Sequence, residues 1–290
     1  MKRLLSWSVC AGLLTLESLA QAVPAAELLN GPCANKAVAA PVSRVSFLLP
    51  GATPQQDQTQ TAKPPGSDHG FVALIKRGAR DQKEIYSAPF HRQNLKWDAL
   101  FLVATGGLIA ADKHVTGAIS HDNLNTSLHI SDAGLYSSLA VTGALLVSGV
   151  AKKDEHARES GLLGFEALAN TLAVSAVTQL IAGRERPLEG AGNGRFWVNN
   201  NVGSSFPSMH SSLTWSLMSV LAHEYPRPWV QVLGYGTATA VSVTRVTSLK
   251  HFPADVAVGG VFGYFIGQHI FHAHSRFYRT HAPLMKSSGL

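Results

Sequence analysis

Charge is what this chain has least of. Lysine, arginine, aspartate and glutamate make up 14% of its 290 residues, against roughly a quarter in ordinary soluble domains, which excludes a heavily solvated, charge-swollen chain. The net charge of +6 is spread along the sequence rather than clustered. That excludes the dense basic stripe needed to grip nucleic acid, yet suits an anionic substrate or lipid headgroups. Cysteine is nearly missing: Cys10 falls in an apolar N-terminal stretch and Cys33 is left alone. One thiol cannot close an internal disulfide, so packing must hold the fold. Long hydrophobic runs are scarce as well. Only two uncharged stretches reach 19 or 20 residues, the length at which a helix begins to span a bilayer.

What is present begins with an export signal over residues 1–22. Lys2 and Arg3 precede an apolar run from Leu4 to Leu16, and Ala20-Gln21-Ala22 offers small residues for cleavage. Residues 23–96 form an exported N-terminal segment. Within it, 49–70 is a low-complexity linker built on Pro54, Gln55, Gln56, Gln58, Gln60, Pro64, Pro65 and Gly66, too polar to build a core. From Trp97 the character changes. Uncharged, Ala-, Leu- and Val-rich stretches recur at 99–111, 133–151, 167–183, 211–223, 229–244 and 256–275. They predict six helices in an all-α domain over 97–275, followed by a basic tail at 276–290. Their Gly, Ala, Ser and Thr content fits close packing in lipid or an ordinary bundle. Stretch length favours an exported protein of the periplasm or cell envelope, soluble or peripheral rather than integral.

Three blocks carry chemistry. In Gly183-Arg184-Glu185-Arg186-Pro187, Arg186 lies seven residues after Gln179, nearly two turns of a regular helix, so both side chains would face one anion. The same arginines would also serve as cations at a helix C-terminus, and alone the block does not choose. In Phe206-Pro207-Ser208-Met209-His210, Pro207 and Ser208 read as a helix start, whose free N–H groups attract phosphate. His210 shares a stripe with Leu213, Leu217 and Leu221 and should point inward, as a structural histidine would too. The third block, Thr244-Arg245 through His251 and Pro253 to Asp255, puts a carboxylate four residues after an imidazole. Asp255 is placed to accept a hydrogen bond from one ring nitrogen and leave the other free to attack.

The order and spacing of these blocks resemble the type 2 phosphatidic acid phosphatase and vanadium haloperoxidase superfamily. Its pattern is a lysine, six residues, Arg-Pro; then Pro-Ser-Gly-His; then Ser-Arg, five residues, His, three residues, Asp. Arg186-Pro187, Pro207-Ser208, His210, Arg245, His251 and Asp255 fall where that pattern wants them. Gln179 stands in place of the lysine, Met209 of the glycine and Thr244 of the serine. The resemblance implies a six-helix bundle with its site at one end. His251 would be the nucleophile that forms a phosphohistidine, Asp255 its orienting partner, and His210 the acid for the leaving oxygen. Gln179, Arg186, Ser208, Met209 and Arg245 would hold the phosphate, with no metal. The implied activity is hydrolysis of a phosphomonoester or pyrophosphate, soluble or lipid-linked, with contact to a membrane surface. Three alternatives share the scaffold: a haloperoxidase carrying vanadate as cofactor, a phosphotransferase, and a degenerate non-catalytic envelope protein, prompted by Gln179 and Met209.

Two further features stand apart. Residues 188–205, rich in glycine and asparagine, read as a lid or as a long connection. His269, His272, His274 and His281 lack carboxylates or thiols at ligand spacing, so the sequence places no metal on them.

Overall fold

The computed structural model describes residues 71–280 except residue 93. The export signal, the 49–70 linker and most of the basic tail lie outside the described residues. All regular structure among the described residues is helical: α1 (Phe71–Ser87), a single 3-10 turn (Ala88–Phe90), α2 (Leu95–Gly117), α3 (Leu124–Lys152), α4 (Glu155–Ala182), α5 (Met209–Glu224), α6 (Pro228–Thr247) and α7 (Pro253–His274). Helices α2 to α7 are the six expected from the uncharged stretches. Helix α1 is an addition. Its mixed, charged sequence has an apolar stripe, and Ile85 packs against a buried cluster of Leu163, Ala167, Val174, Val220, Ile266 and Ile270.

Local chemistry sets the ends. Asp154 caps α4 by accepting from the Ala157 N–H at 3.1 Å. Gly183 closes the same helix in a left-handed conformation, φ +51°. Prolines 228 and 253 occupy first-turn positions of α6 and α7, where a missing N–H costs nothing. The end of α6 matters most for the site. The Leu249 N–H bonds the Val246 carbonyl at 2.9 Å and the Lys250 N–H bonds that of Arg245 at 3.2 Å. This is a Schellman closure with Leu249, φ +53°, in the position usually given to glycine.

Helices α5 and α7 form the tightest pair. Serines 208, 212, 216 and 219 of one face Gly259, Gly263 and Gly267 of the other. A Cβ at Gly263 would stand 2.1 Å from the Ser212 carbonyl oxygen, so only glycine permits the approach. This seam fixes the start of α5, which carries His210, against the start of α7, which carries Asp255.

The outer helices present apolar side chains outward. Leu100, Leu102 and Val103 on α2, Val141, Val147 and Val150 on α3, and Trp229, Val232 and Leu233 on α6 are exposed. Helices α3 and α4 run 29 and 28 residues, and both are long and apolar enough to cross a membrane. Only 22% of the apolar window of α3 is buried inside the protein. The uncharged stretches understate these helices because polar caps and a few charged residues extend them at either end. The soluble half of the soluble-or-peripheral expectation therefore gives way to membrane association.

Candidate active site

The helices alternate in direction, so one pole of the bundle receives the end of α2, the start of α3, the end of α4, the start of α5, the end of α6 and the start of α7. Most of the polar residues singled out in the sequence lie at those ends or in the loops joining them.

His251 sits in the short connection between α6 and α7, 2% exposed. Its Nδ1 lies 2.8 Å from the Ser205 carbonyl oxygen. A carbonyl only accepts, so Nδ1 carries the proton and Nε2 keeps its lone pair. Burial pushes the His251 pKa below its ordinary value, Asp255 opposes that shift, and the positive charges of Arg245 and Arg186 add to it. The imidazole is thus neutral near pH 7, with an unprotonated Nε2.

Asp255 does not make the direct hydrogen bond expected from the four-residue spacing. Its Oδ2 is 3.8 Å from His251 Nδ1, beyond hydrogen-bond range. The reason is competition. Oδ2 accepts from the Ser205 hydroxyl at 2.5 Å and the Phe252 N–H at 2.8 Å, while Oδ1 accepts from Arg184 Nη1 at 2.6 Å. Asp255 therefore orients the imidazole at one remove, by holding Ser205, whose carbonyl holds His251.

Arg184, which the family pattern does not include, has a central place here. Fully buried, it bridges Asp255 to Asp112, whose Oδ2 lies 2.8 Å from Nη2, and its guanidinium stacks between Phe196 and Phe252 at 4.8 and 4.3 Å from the ring centroids. Asp112 in turn accepts from the Ala254 N–H at 2.9 Å. Two rings and two carboxylates fix this arginine next to Asp255 at the start of α7. Asp112 and Asp132, each a lone carboxylate at the edge of an uncharged stretch, were the legible signal for this polar pole.

His210 opens α5 at the rim, a quarter exposed, with Nε2 3.1 Å from Asp132 Oδ1. Asp132 also faces Arg245 Nη1 at 3.4 Å. Arg245 is buried, its Nη1 lies 3.2 Å from Ser131 Oγ, and its Nε has no hydrogen-bond partner. An unpaired buried donor of that kind has an anion as its natural complement. Arg186 is half-buried and donates through Nη2 to the Gly203 carbonyl at 2.7 Å. It lies beyond Gly183, in the loop, so the shared helix face expected for Gln179 and Arg186 does not exist.

Two expected phosphate ligands are otherwise engaged. Gln179 is 2% exposed. Its Nε2 donates to the Pro207 carbonyl and its Oε1 accepts from the Gly203 N–H, both at 2.9 Å. It is a strut for the loop ahead of α5 rather than an anion ligand. The Ser208 N–H donates to the Asp255 carbonyl at 3.0 Å, so the backbone donor expected there is spent. The Ser208 hydroxyl, expected to cap the helix, makes no cap bond and is buried without a partner. Met209 has ordinary helical backbone, so it needs no glycine, and the N–H groups of Met209 and His210 make no bond back to the preceding loop.

The 188–205 segment is a pinned connection rather than a free lid. Trp197 N–H bonds the Ala182 carbonyl at 2.8 Å, Ser205 N–H bonds that of Arg184 at 2.8 Å, and Asn200 Nδ2 bonds that of Leu180 at 2.8 Å. Along α6 and α7 lies an open, apolar groove of about 580 Å³, lined among others by Val115, Trp215, Val246, Val256 and Tyr264. It reaches Thr247 and Pro253, the residues flanking the His251 turn.

Residues 161–279 match the family model described as the PAP2 superfamily. A lipid A 1-phosphatase of Porphyromonas gingivalis is 27% identical over 77 residues, and the matched region is 26% of this chain and 17% of that protein. The chain thus matches about a sixth of the length of that curated relative. Among solved structures, a transmembrane PAP2 type phosphatidylglycerolphosphate phosphatase of Bacillus subtilis aligns over 71% of this chain and 98% of its own. Its sequence identity is 17% and its TM-score 0.42.

Proposed function

The chain belongs to the PAP2 superfamily, and on that premise we propose that it is a membrane-associated phosphatase that hydrolyses a lipid-linked phosphomonoester or pyrophosphate through a phosphohistidine. The observation that carries the reading is the fixed tautomer of His251: Nδ1–H bound to a carbonyl, Nε2 unprotonated, under the charges of Arg245 and Arg186.

In the first step the Nε2 lone pair forms the P–N bond as the bond from phosphorus to the leaving oxygen breaks. Burial and Arg245 hold the His210 pKa down to about 4 in the free protein, so its proton comes with the substrate: the phosphate dianion and Asp132, 3.1 Å away, favour the charged ring, which gives that oxygen a proton. In the second step neutral His210 takes a proton from water, the hydroxide oxygen bonds phosphorus, and the P–N pair returns to His251. Arg245 Nε, Arg186 and the free N–H groups at the start of α5 hold the phosphoryl oxygens, and positioning with charge stabilisation is the main resource for such transfer. The scheme draws on no metal.

A lipid body for the substrate is supported by three features: the apolar groove leading from the His251 turn, the outward apolar faces of α2, α3 and α6, and the lipid phosphatase named among the relatives. The test is radiolabelled substrate mixed with detergent-purified protein and quenched in base, which preserves phosphohistidine. Wild type should trap label and release phosphate, and His251→Ala should do neither. Undiminished turnover by His251→Ala would remove the nucleophile, and equal rates on short soluble esters and long-chain lipid phosphates would remove the lipid assignment.

A further inference from the structure

On the flank of the bundle, away from His251, folding brings together what the sequence keeps apart. Asp81 of α1, Glu166 of α4 and His274 at the end of α7 place their ligand atoms within 4.8 Å of one another. His274 Nε2 is 2.8 Å from Asp81 Oδ1 and 3.8 Å from Glu166 Oε1. Asp81 is 1% exposed and Glu166 9%.

Pairing inside the cluster is incomplete. Asp81 Oδ2 and Glu166 Oε1 are buried without any hydrogen-bond partner, and so is His269 Nε2, 3.8 Å from Asp81 Oδ1. Leaving such atoms dry and unpaired is costly. Arg77 accounts only for the other oxygen of Glu166, Oε2, at 2.5 Å. A proton on His274 accounts only for Asp81 Oδ1. Asp81 Oδ2 and Glu166 Oε1 are left without a donor.

We propose that Asp81, Glu166 and His274 form a divalent-cation site, with His269 or water in the fourth position. The donor set, two carboxylates and an imidazole, favours a zinc-like ion over magnesium or calcium, which prefer all-oxygen shells. Ligand atoms around tetrahedral zinc stand roughly 3.3 Å apart, so side-chain shifts of about 1 Å would complete the shell. Arg77, bonded to the free oxygen of Glu166, then orients that ligand from outside. The ion would be structural. It would tie α1 to α4 and to the end of α7, reinforcing the contact made by Ile85 and the bond from Gln82 Nε2 to Asn170 Oδ1 at 2.7 Å. None of the three ligands belongs to the phosphate pole, so the site stands or falls independently of the phosphatase reading.

The experiment uses the full chain, without a polyhistidine tag, in detergent and stripped with a chelator. It is titrated with Co²⁺ as a spectroscopic probe and then with Zn²⁺. Wild type should take up about one equivalent per chain, with visible bands of a four-coordinate N/O site that Zn²⁺ displaces. Asp81→Asn and His274→Gln should each weaken binding at least tenfold while phosphate release persists. Wild type that takes up no stoichiometric Co²⁺ overturns the site whatever the variants do. Undiminished uptake by a folded Asp81→Asn/His274→Gln double variant overturns the ligand assignment.

Discussion

Replacing Asp255 with asparagine separates two ways in which a carboxylate can serve a nucleophilic histidine. Asp255 is completely buried and receives three donors: Arg184 Nη1 at 2.6 Å, Ser205 Oγ at 2.5 Å and the Phe252 N–H at 2.8 Å. Asparagine offers one acceptor oxygen and turns an NH₂ toward the rest, so at least one buried donor is orphaned. Arg184 also loses one of its two carboxylates. Breaking a buried ion pair from one side costs about 3–5 kcal/mol. For a domain of this size each kcal/mol moves Tm by roughly 2–4 °C, giving a fall of roughly 6–20 °C. Ser205→Ala is the internal control. It removes one hydroxyl bond, worth about 1–2 kcal/mol, but leaves the carbonyl that fixes the His251 tautomer. Turnover should therefore survive in Ser205→Ala and fail in Asp255→Asn. The assay is tryptophan-fluorescence melting in detergent alongside phosphate release. An Asp255→Asn protein that melts with wild type yet has lost its turnover would refute the reasoning. The carboxylate would then act on the imidazole directly, across a shorter contact than 3.8 Å.

Three further outcomes follow from the same geometry. Gln179→Lys would restore the residue of the family pattern, but here it places an ammonium against the Gly203 N–H. A Tm loss equivalent to about 1–3 kcal/mol is expected in the melt, and unchanged Tm with faster turnover would contradict the strut. Gly263→Val puts a branched side chain where even a Cβ meets the Ser212 carbonyl at 2.1 Å, so it should disrupt the α5–α7 seam and abolish activity, and wild-type turnover would show that the seam does not set the site. The lowered His251 pKa puts the acid limb of kcat/KM below pH 6.5, the usual histidine value. The unfolded chain takes up that proton first, so the contribution of His251 to stability is present above pH 6.5 and is lost as pH falls through the lower folded value. A limb that stays at or above 6.5 in a pH–rate profile, and moves with no substitution near His251, would contradict that environment.

The six bundle helices were legible because an uncharged stretch bounded by polar turns leaves few other solutions. Arg245, His251 and Asp255 were legible as a set because they flank one helix–helix connection, where sequence spacing translates into space. Gln179 and Arg186 misled for the converse reason. Their seven-residue separation points to one face only if the helix continues, and Gly183 ends it. Helix α1 was invisible because its charges break the pattern that marked the others, and part of its stabilisation lies in distant partners such as Glu166 and Asn170.

Hydrogen-bond competition is the part of the site that spacing cannot reveal. Asp255 lies within reach of His251, yet Ser205, Phe252 and Arg184 claim its lone pairs first, and two of those three are remote in sequence. The consequence reaches beyond one contact. With the carboxylate saturated by fixed donors, the proton on His251 Nδ1 is shared with a neutral carbonyl, which has little tendency to take it. The negative charge of Asp255 therefore stays on Asp255 and balances Arg184. On the proposed route the imidazole would become a phosphorylated cation with that charge 3.8 Å away rather than in contact. On the proposed phosphohistidine route, the attack would rely on a substrate phosphate held between Arg245 and Arg186, so His251 would be tuned as much by that substrate as by its neighbours.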